Sequence, residues 1–93
     1  MGKKVARLGD LNSAGGPIIT NVSQNVFINN KPAAMIGSLV APHSPYKGPH
    51  RPPTEITSGA PTVFVNNRRL AHIGSSTTCG HPIATGSPDV EVG

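Results

Sequence analysis

Four histidines and one cysteine carry nearly all the chemistry this chain could perform. His43 and His50 lie in a proline-rich stretch spanning residues 41–53. Cys79 and His81 stand two positions apart near the other end, and His72 lies between the two groups. Neutral imidazole and thiolate are the preferred ligands of zinc, and four of them in a tetrahedron close a structural site. A single cysteine rules out an internal disulfide. A chain of 93 residues with no Trp, one Tyr and two Phe has a thin core. Metal is the natural staple for such a domain. The preferred ligand set is His43, His50, Cys79 and His81. Two alternatives stand beside it: His72 in place of His50, and a buried thiol with histidines on the surface.

The elements that must position these residues come from a repeat. Val26-Phe27-Ile28-Asn29-Asn30 is followed by Ala34-Met35-Ile36-Gly37-Ser38, and Val63-Phe64-Val65-Asn66-Asn67 by Ala71-His72-Ile73-Gly74-Ser75. A third copy is split between the ends, with Val90-Glu91-Val92-Gly93 closing the chain and Ala6-Arg7-Leu8-Gly9-Asp10 near its start. Repeats set architecture, and a copy shared by both ends implies a closed ring. The first halves alternate in character, as strands do. Asn tolerates positive φ, so the Asn-Asn pairs read as turns. The second halves read as the returning strands, so the ring becomes three hairpins. Ile19, Ile56 and Ile83, each seven residues before Val26, Val63 and Val90, are expected to start short core strands. Val90–Val92 is expected to pair with Val5–Leu8. Arg7, Met35 and His72 align, and that position is expected to face outward. No helical apolar period is sustained. The expected fold is all-β: one small, turn-rich domain over residues 1–93, built of three pseudo-threefold hairpin repeats.

The connectors between copies differ, and the difference bears on the ligands. The middle one carries an insertion of about ten residues within Ala41–Pro53, stiffened by five prolines. Cys79 follows Ser75 by four residues; the matching positions are Pro42, beside His43, and Ala14. Equivalent positions in a threefold ring surround one axis. His43 and Cys79 therefore approach that axis from two sides, and the inserted loop can supply His50. His81 lies two residues after Cys79, which puts both on one side of an extended segment.

Composition narrows the function classes. Eight Lys and Arg against four Asp and Glu give a net charge of +4, but the cations are scattered and lack interleaved aromatics. A small basic nucleic-acid-binding zinc module is thus a secondary reading. An enzyme is disfavoured, because catalytic zinc keeps an open position and four ligands would fill the shell. Met1-Gly2-Lys3-Lys4 is not followed by an apolar stretch, so no signal peptide is expected. One free cysteine suits assembly in the reducing cytoplasm.

Lys31-Pro32-Ala33-Ala34, Ala6-Arg7-Leu8-Gly9-Asp10, Gly15-Gly16-Pro17-Ile18 and Cys79-Gly80-His81, in that number and arrangement, resemble the PAAR-repeat family. Met35 stands where the family name expects Arg, Ser38 and Ser75 where Asp is common, and Ala14 where some relatives carry His. The resemblance implies a small cone that sharpens the tip of the type VI secretion spike. Such cones sit, one copy per trimer, on the trimeric valine-glycine-repeat protein, VgrG. It also implies a structural zinc ion near the vertex held by three His and one Cys, and effector attachment in some members. By the same resemblance the protein is expelled on the spike and touches the target membrane transiently. A contractile phage tail spike is the alternative setting. No fused effector domain is expected within these residues.

Overall fold

A computed structural model describes residues 2–41 and 54–92. Its regular structure is all strand, and no helix occurs among the described residues. The strands are β1 (Lys3–Lys4), β2 (Ile18–Thr20), β3 (Phe27–Ile28), β4 (Lys31–Pro32), β5 (Leu39–Val40), β6 (Thr54–Glu55), β7 (Phe64–Val65), β8 (Arg68–Arg69) and β9 (Glu91–Val92).

Asn-Asn pairs make two of the hairpins. Asn29, Asn30, Asn66 and Asn67 have φ of 55°, 67°, 50° and 67°. Two successive residues at positive φ give the tight turn whose twist matches antiparallel strands. Accordingly β3 pairs with β4, Phe27 opposite Pro32, and β7 with β8, Phe64 opposite Arg69. The returning strand therefore lies immediately after the turn, at Lys31–Pro32 and Arg68–Arg69. It precedes the Ala34–Ser38 and Ala71–Ser75 segments that sequence periodicity pointed to. A two-residue turn leaves no room for a later partner. The chain ends pair in the same way: β1 lies antiparallel to β9, Lys3 opposite Val92 and Lys4 opposite Glu91. Val5 N–H then donates to Val90 O at 3.0 Å. The ends do meet, but through residues 3–5 rather than Val5–Leu8, because Ala6 onward is committed elsewhere.

That commitment joins the second halves to each other. Ala6 N–H donates to Ala71 O, Ala71 N–H to Ala34 O, and Ala34 N–H to Ala6 O, each at 3.0 Å. The three bonds form a closed cycle, and all three alanines are fully buried. Isolated bridges flank it in the same cyclic order: Val5 with His72, Ala33 with Arg7, and Leu70 with Met35. Only a small side chain fits where three backbones converge, which explains Ala at each copy.

After the cycle each segment turns sharply. The amides of Asp10, Ser38 and Ser75 donate back to the carbonyls of Arg7, Met35 and His72. The third residue of each turn is glycine (Gly9, Gly37, Gly74) at φ 90°, 97° and 94°, which a side chain would oppose. The Asp10 carboxylate and the Ser38 and Ser75 hydroxyls accept from the first residue's amide, at 2.7, 3.0 and 3.0 Å. Asp and Ser at this position thus make the same bond to the turn's first amide, and Asp10 adds an ion pair with Arg7.

Gly9, Gly37 and Gly74 N–H then donate to Ile18, Ile56 and Ile83 O. These three isoleucines are essentially inaccessible, and each contributes roughly 1.5–3 kcal/mol by burial. Ile18, not Ile19, is thus the core residue of the first copy; Ile19 is 41% exposed. The reason is one extra residue. The pairing of β2 with β5 shifts register between Ile18 and Thr20, and Asn21 follows at φ 60°. This bulge absorbs the added position and restores alignment at Ser23, whose amide donates to Ala33 O as Ala60 N–H does to Leu70 O and Ser87 N–H to Val5 O. In the other two copies the residue before this point is Gly59 or Gly86, where a Cβ would lie 2.6 or 2.7 Å from a backbone carbonyl. The bulge lets the first copy place Val22 there, packed on the core.

The core has two parts. Ala6, Ala34, Ala71, Ile18, Ile56, Ile83 and Val40 form one cluster. Val5, Ala33, Leu70 and Val65 form the other, with the hairpin residues Val26, Ile28, Val63, Val90 and Val92 packed against it.

Candidate metal centre and its supporting loops

Cys79 and His81 are held on a turn. Gly80 N–H donates to Thr77 O at 3.0 Å, and Thr77 Oγ1 donates to His81 O at 2.7 Å. These bonds curl the chain so that Cys79 Sγ lies 3.8 Å from His81 Nδ1 and 3.3 Å from Thr77 Oγ1. The corresponding turn in the first copy has Ala14 in place of Cys79, with Gly15 N–H donating to Asn12 O at 3.0 Å. Asn12 Oδ1 accepts the Ala14 and Gly16 amides there. One turn is thus a closed backbone device, and its counterpart carries a thiol and an imidazole.

The inserted loop is rooted beside that turn. β5 pairs with β6, Leu39 opposite Glu55 and Val40 opposite Thr54, so residues 41–53 run between two paired strands. β6 is in turn stitched to the Cys79 turn: Thr78 N–H donates to Glu55 O at 3.0 Å, and Glu55 N–H to Thr78 Oγ1 at 3.2 Å. Ile56 also bridges Thr77. At the other root Ala41 N–H donates to Pro17 O at 2.8 Å. Thr54 is buried, and its Oγ1 has no hydrogen-bond partner among the described residues. His43 and His50 lie outside the described residues.

The spacing of Cys79 and His81 is compatible with zinc. Zn–S of about 2.3 Å and Zn–N of about 2.0 Å at the tetrahedral angle put S and N about 3.5 Å apart. Cys79 and His81 are near that separation. No third His, Cys, Asp or Glu joins them among the described residues. His72 therefore does not stand with them. It is buried, it bridges Val5, and its Nδ1–H donates to Ile73 O at 2.7 Å.

The position shared by Arg7, Met35 and His72 does not face outward. Arg7 and His72 are 9% and 8% exposed, and Met35 is half-buried. Their segments are locked by the cyclic bridges, with the Arg7 and Met35 side chains against the neighbouring hairpin. Arg7 forms an ion pair with Asp10, Nε to Oδ2 at 3.0 Å and a second bond from Nη2 to Oδ1 at 3.1 Å. It also donates to Asn29 Oδ1 and Gly86 O. Hydrogen bonding to Asp10 raises the guanidinium pKa further, against the effect of burial.

A Ser-x-Asx motif, missed by periodicity, ties the hairpin turns down. Ser87 Oγ accepts the Asp89 and Val90 amides and donates to Asn29 Oδ1, while Asn29 Nδ2 donates to Asp89 Oδ1. Ser23 Oγ accepts the Asn25 and Val26 amides and donates to Asn66 Oδ1, while Asn66 Nδ2 donates to Asn25 Oδ1. The signal was available: a Ser three residues before Val26 and Val90, with Asx between. Donors from Asn29 and Ser87 hold the Asp89 carboxyl below its ordinary range.

A profile of the PAAR motif matches residues 8–85, which is most of the chain, and the chain belongs to that family. A comparison with curated proteins gave no match.

Proposed function

We propose that this chain is a zinc-bound spike tip that caps a trimeric VgrG-like protein of a type VI secretion system. The supporting observation is the closed hydrogen-bond cycle through Ala6, Ala71 and Ala34. It brings three near-equivalent segments of one chain around a common centre, as a monomer facing a trimer requires. Three short strand pairs, β3–β4, β7–β8 and β1–β9, would make the three sides of a pseudo-threefold cone around it. A spike trimer ends in strands with unpaired N–H and C=O groups, and strand addition from three hairpins would cover them together. Mixing the chain with a VgrG trimer should give, by size exclusion with light scattering, one chain per trimer. Failure to co-migrate at micromolar concentration would remove the reading. The same chemistry suits a contractile phage tail spike.

Within this function the metal is structural. Cys79 and His81, with His43 and His50 from the inserted loop, would hold zinc and tie the loop to the Cys79 turn. Zinc would supply a rigid cross-link where there is little room for apolar packing. Elemental analysis should find one zinc per chain, lost in Cys79→Ala and reduced in His43→Ala and His50→Ala. Full retention in Cys79→Ala would exclude the site. Chelation should accelerate amide exchange at Thr78–His81 before it does at β3, β4, β7 and β8. Equal acceleration everywhere would count against it.

A further inference from the structure

Arg7, Met35 and His72 occupy the same place in three copies, and Arg7 and Met35 each face the Asn-Asn turn of the next hairpin across a cleft. At Arg7 the cleft is filled: the guanidinium reaches Asp10, Asn29 Oδ1 and Gly86 O. At Met35 the equivalent cleft is open. Asn21, Val22, Gln24, Asn25, Asn66 and Arg68 line it with Met35, around a groove of about 490 Å³. Two features hold it open. Met35 lacks the reach and charge of Arg7, and the Asn21 bulge adds a residue to the wall.

The walls are already braced. Asn66 Nδ2 donates to Asn25 Oδ1, Asn21 Nδ2 to Gly37 O, and Ser23 Oγ to Asn66 Oδ1. The groove is thus preformed and would lose little freedom on binding. Its lining holds one cation, Arg68, and no anion. Arg68 spends one Nη1 donor on Ile36 O at 3.3 Å, which leaves most of its fork for a ligand. Glu55 Oε2 and Arg68 Nη1 both lie beside Gly37, and the two make no ion pair among the described residues. Met35 and Val22 supply an apolar floor beside this cation. Carboxamides that can both donate and accept rim it.

We propose that this groove binds an extended peptide segment in which an acidic side chain adjoins an apolar one. The carboxylate would meet Arg68, the apolar side chain Met35 and Val22, and the peptide backbone the Gln24 and Asn25 amides. One chain offers this site once, because Arg7 and His72 differ from Met35 at the other two positions. A cap on a symmetric trimer would thereby carry a single cargo attachment point, but the groove itself does not depend on that function.

The test is a titration of the ¹⁵N-labelled full chain, read by amide shifts. The probes are acetyl-Gly-Leu-Asp-Gly-amide, the same peptide with Asn for Asp, and inorganic phosphate. The acidic peptide should shift amides in 21–25, 35 and 66–68 and leave Cys79 and His81 unmoved. Arg68→Gln, at an exposed hairpin position, should weaken binding about tenfold. Met35→Arg should abolish the shifts while the remaining spectrum stays dispersed. No shifts at millimolar peptide, equal shifts from the Asn peptide, or the same shifts from phosphate alone would each overturn the proposal.

Discussion

The cleft at Arg7 and the cleft at Met35 share a backbone and little else. Both sit between a Gly turn and a neighbouring Asn-Asn turn, and in both the Asn is tied to a Ser-x-Asx motif. At the first, charge fills the space: Arg7 with Asp10, and Asp89 held ionised by Asn29 and Ser87. At the second, neutral residues leave a groove: Met35 for Arg7, Ser38 for Asp10, Asn25 for Asp89. The cyclic backbone bonds carry the architecture, so side chains at the clefts are free to diverge. One cleft closes the seam where the chain ends meet, and the other is available for binding.

The sharpest way to break this contrast is Asp10→Ala. It leaves Arg7 buried with much of its compensation gone and should cost about 3 kcal/mol by denaturant titration. Ser38→Ala, at the equivalent position, removes only a neutral acceptor for Met35 N–H and a donor to Asn21 O. It should cost about 1–2 kcal/mol. Equal losses at the two sites would dissolve the contrast. A smaller effect comes from the turns. Asn66→Gly keeps the positive φ but cuts the ties to Ser23 and Asn25, and should lower stability by about 1 kcal/mol while changing the groove's amide shifts. An unchanged spectrum would show that the tie does not shape the groove. The smallest effect is acid. Because Asp89 has a lowered pKa in the folded chain, its stabilising contribution is complete above the ordinary carboxylate value of 3.8 and fades as pH falls below it. Asp89→Asn should flatten that part of the stability–pH curve. An unchanged curve would assign the acid sensitivity to other carboxylates.

These contrasts mark where sequence reading reaches its limit. The repeat, the Asn-Asn turns and the all-β class were legible, because turn chemistry and recurrence are local. The alternation at Phe64 and Val65 held as well, with Phe64 57% exposed and Val65 buried. The returning strands were misplaced because Lys31–Pro32 and Arg68–Arg69 are not apolar, and short outer strands need no apolar pattern. Ile19 was preferred to Ile18 because counting back from Val26 assumes equal spacing, and the Asn21 bulge breaks it. The position of Arg7, Met35 and His72 was expected outside because it accepts Arg as well as Met. Asp10, three residues on, supplied the partner, and Arg-x-x-Asp was the signal to weigh. Sequence put Cys79 and His81 on one side of an extended segment; their side chains do lie together, but a turn brings them there.

Pairing of β1 with β9 has a consequence for engineering. Lys3 and Val92 face each other across an antiparallel pair, as Ile28 and Lys31 do across Asn29-Asn30. The gap between Val92 and Lys3 is therefore one that a two-residue turn can span. Joining Val92 to Lys3 through a two-residue Asn-Gly link and opening the chain between Asn66 and Asn67 gives a circular permutant with the same three strand pairs. Such a permutant should fold, with its new ends on a different hairpin.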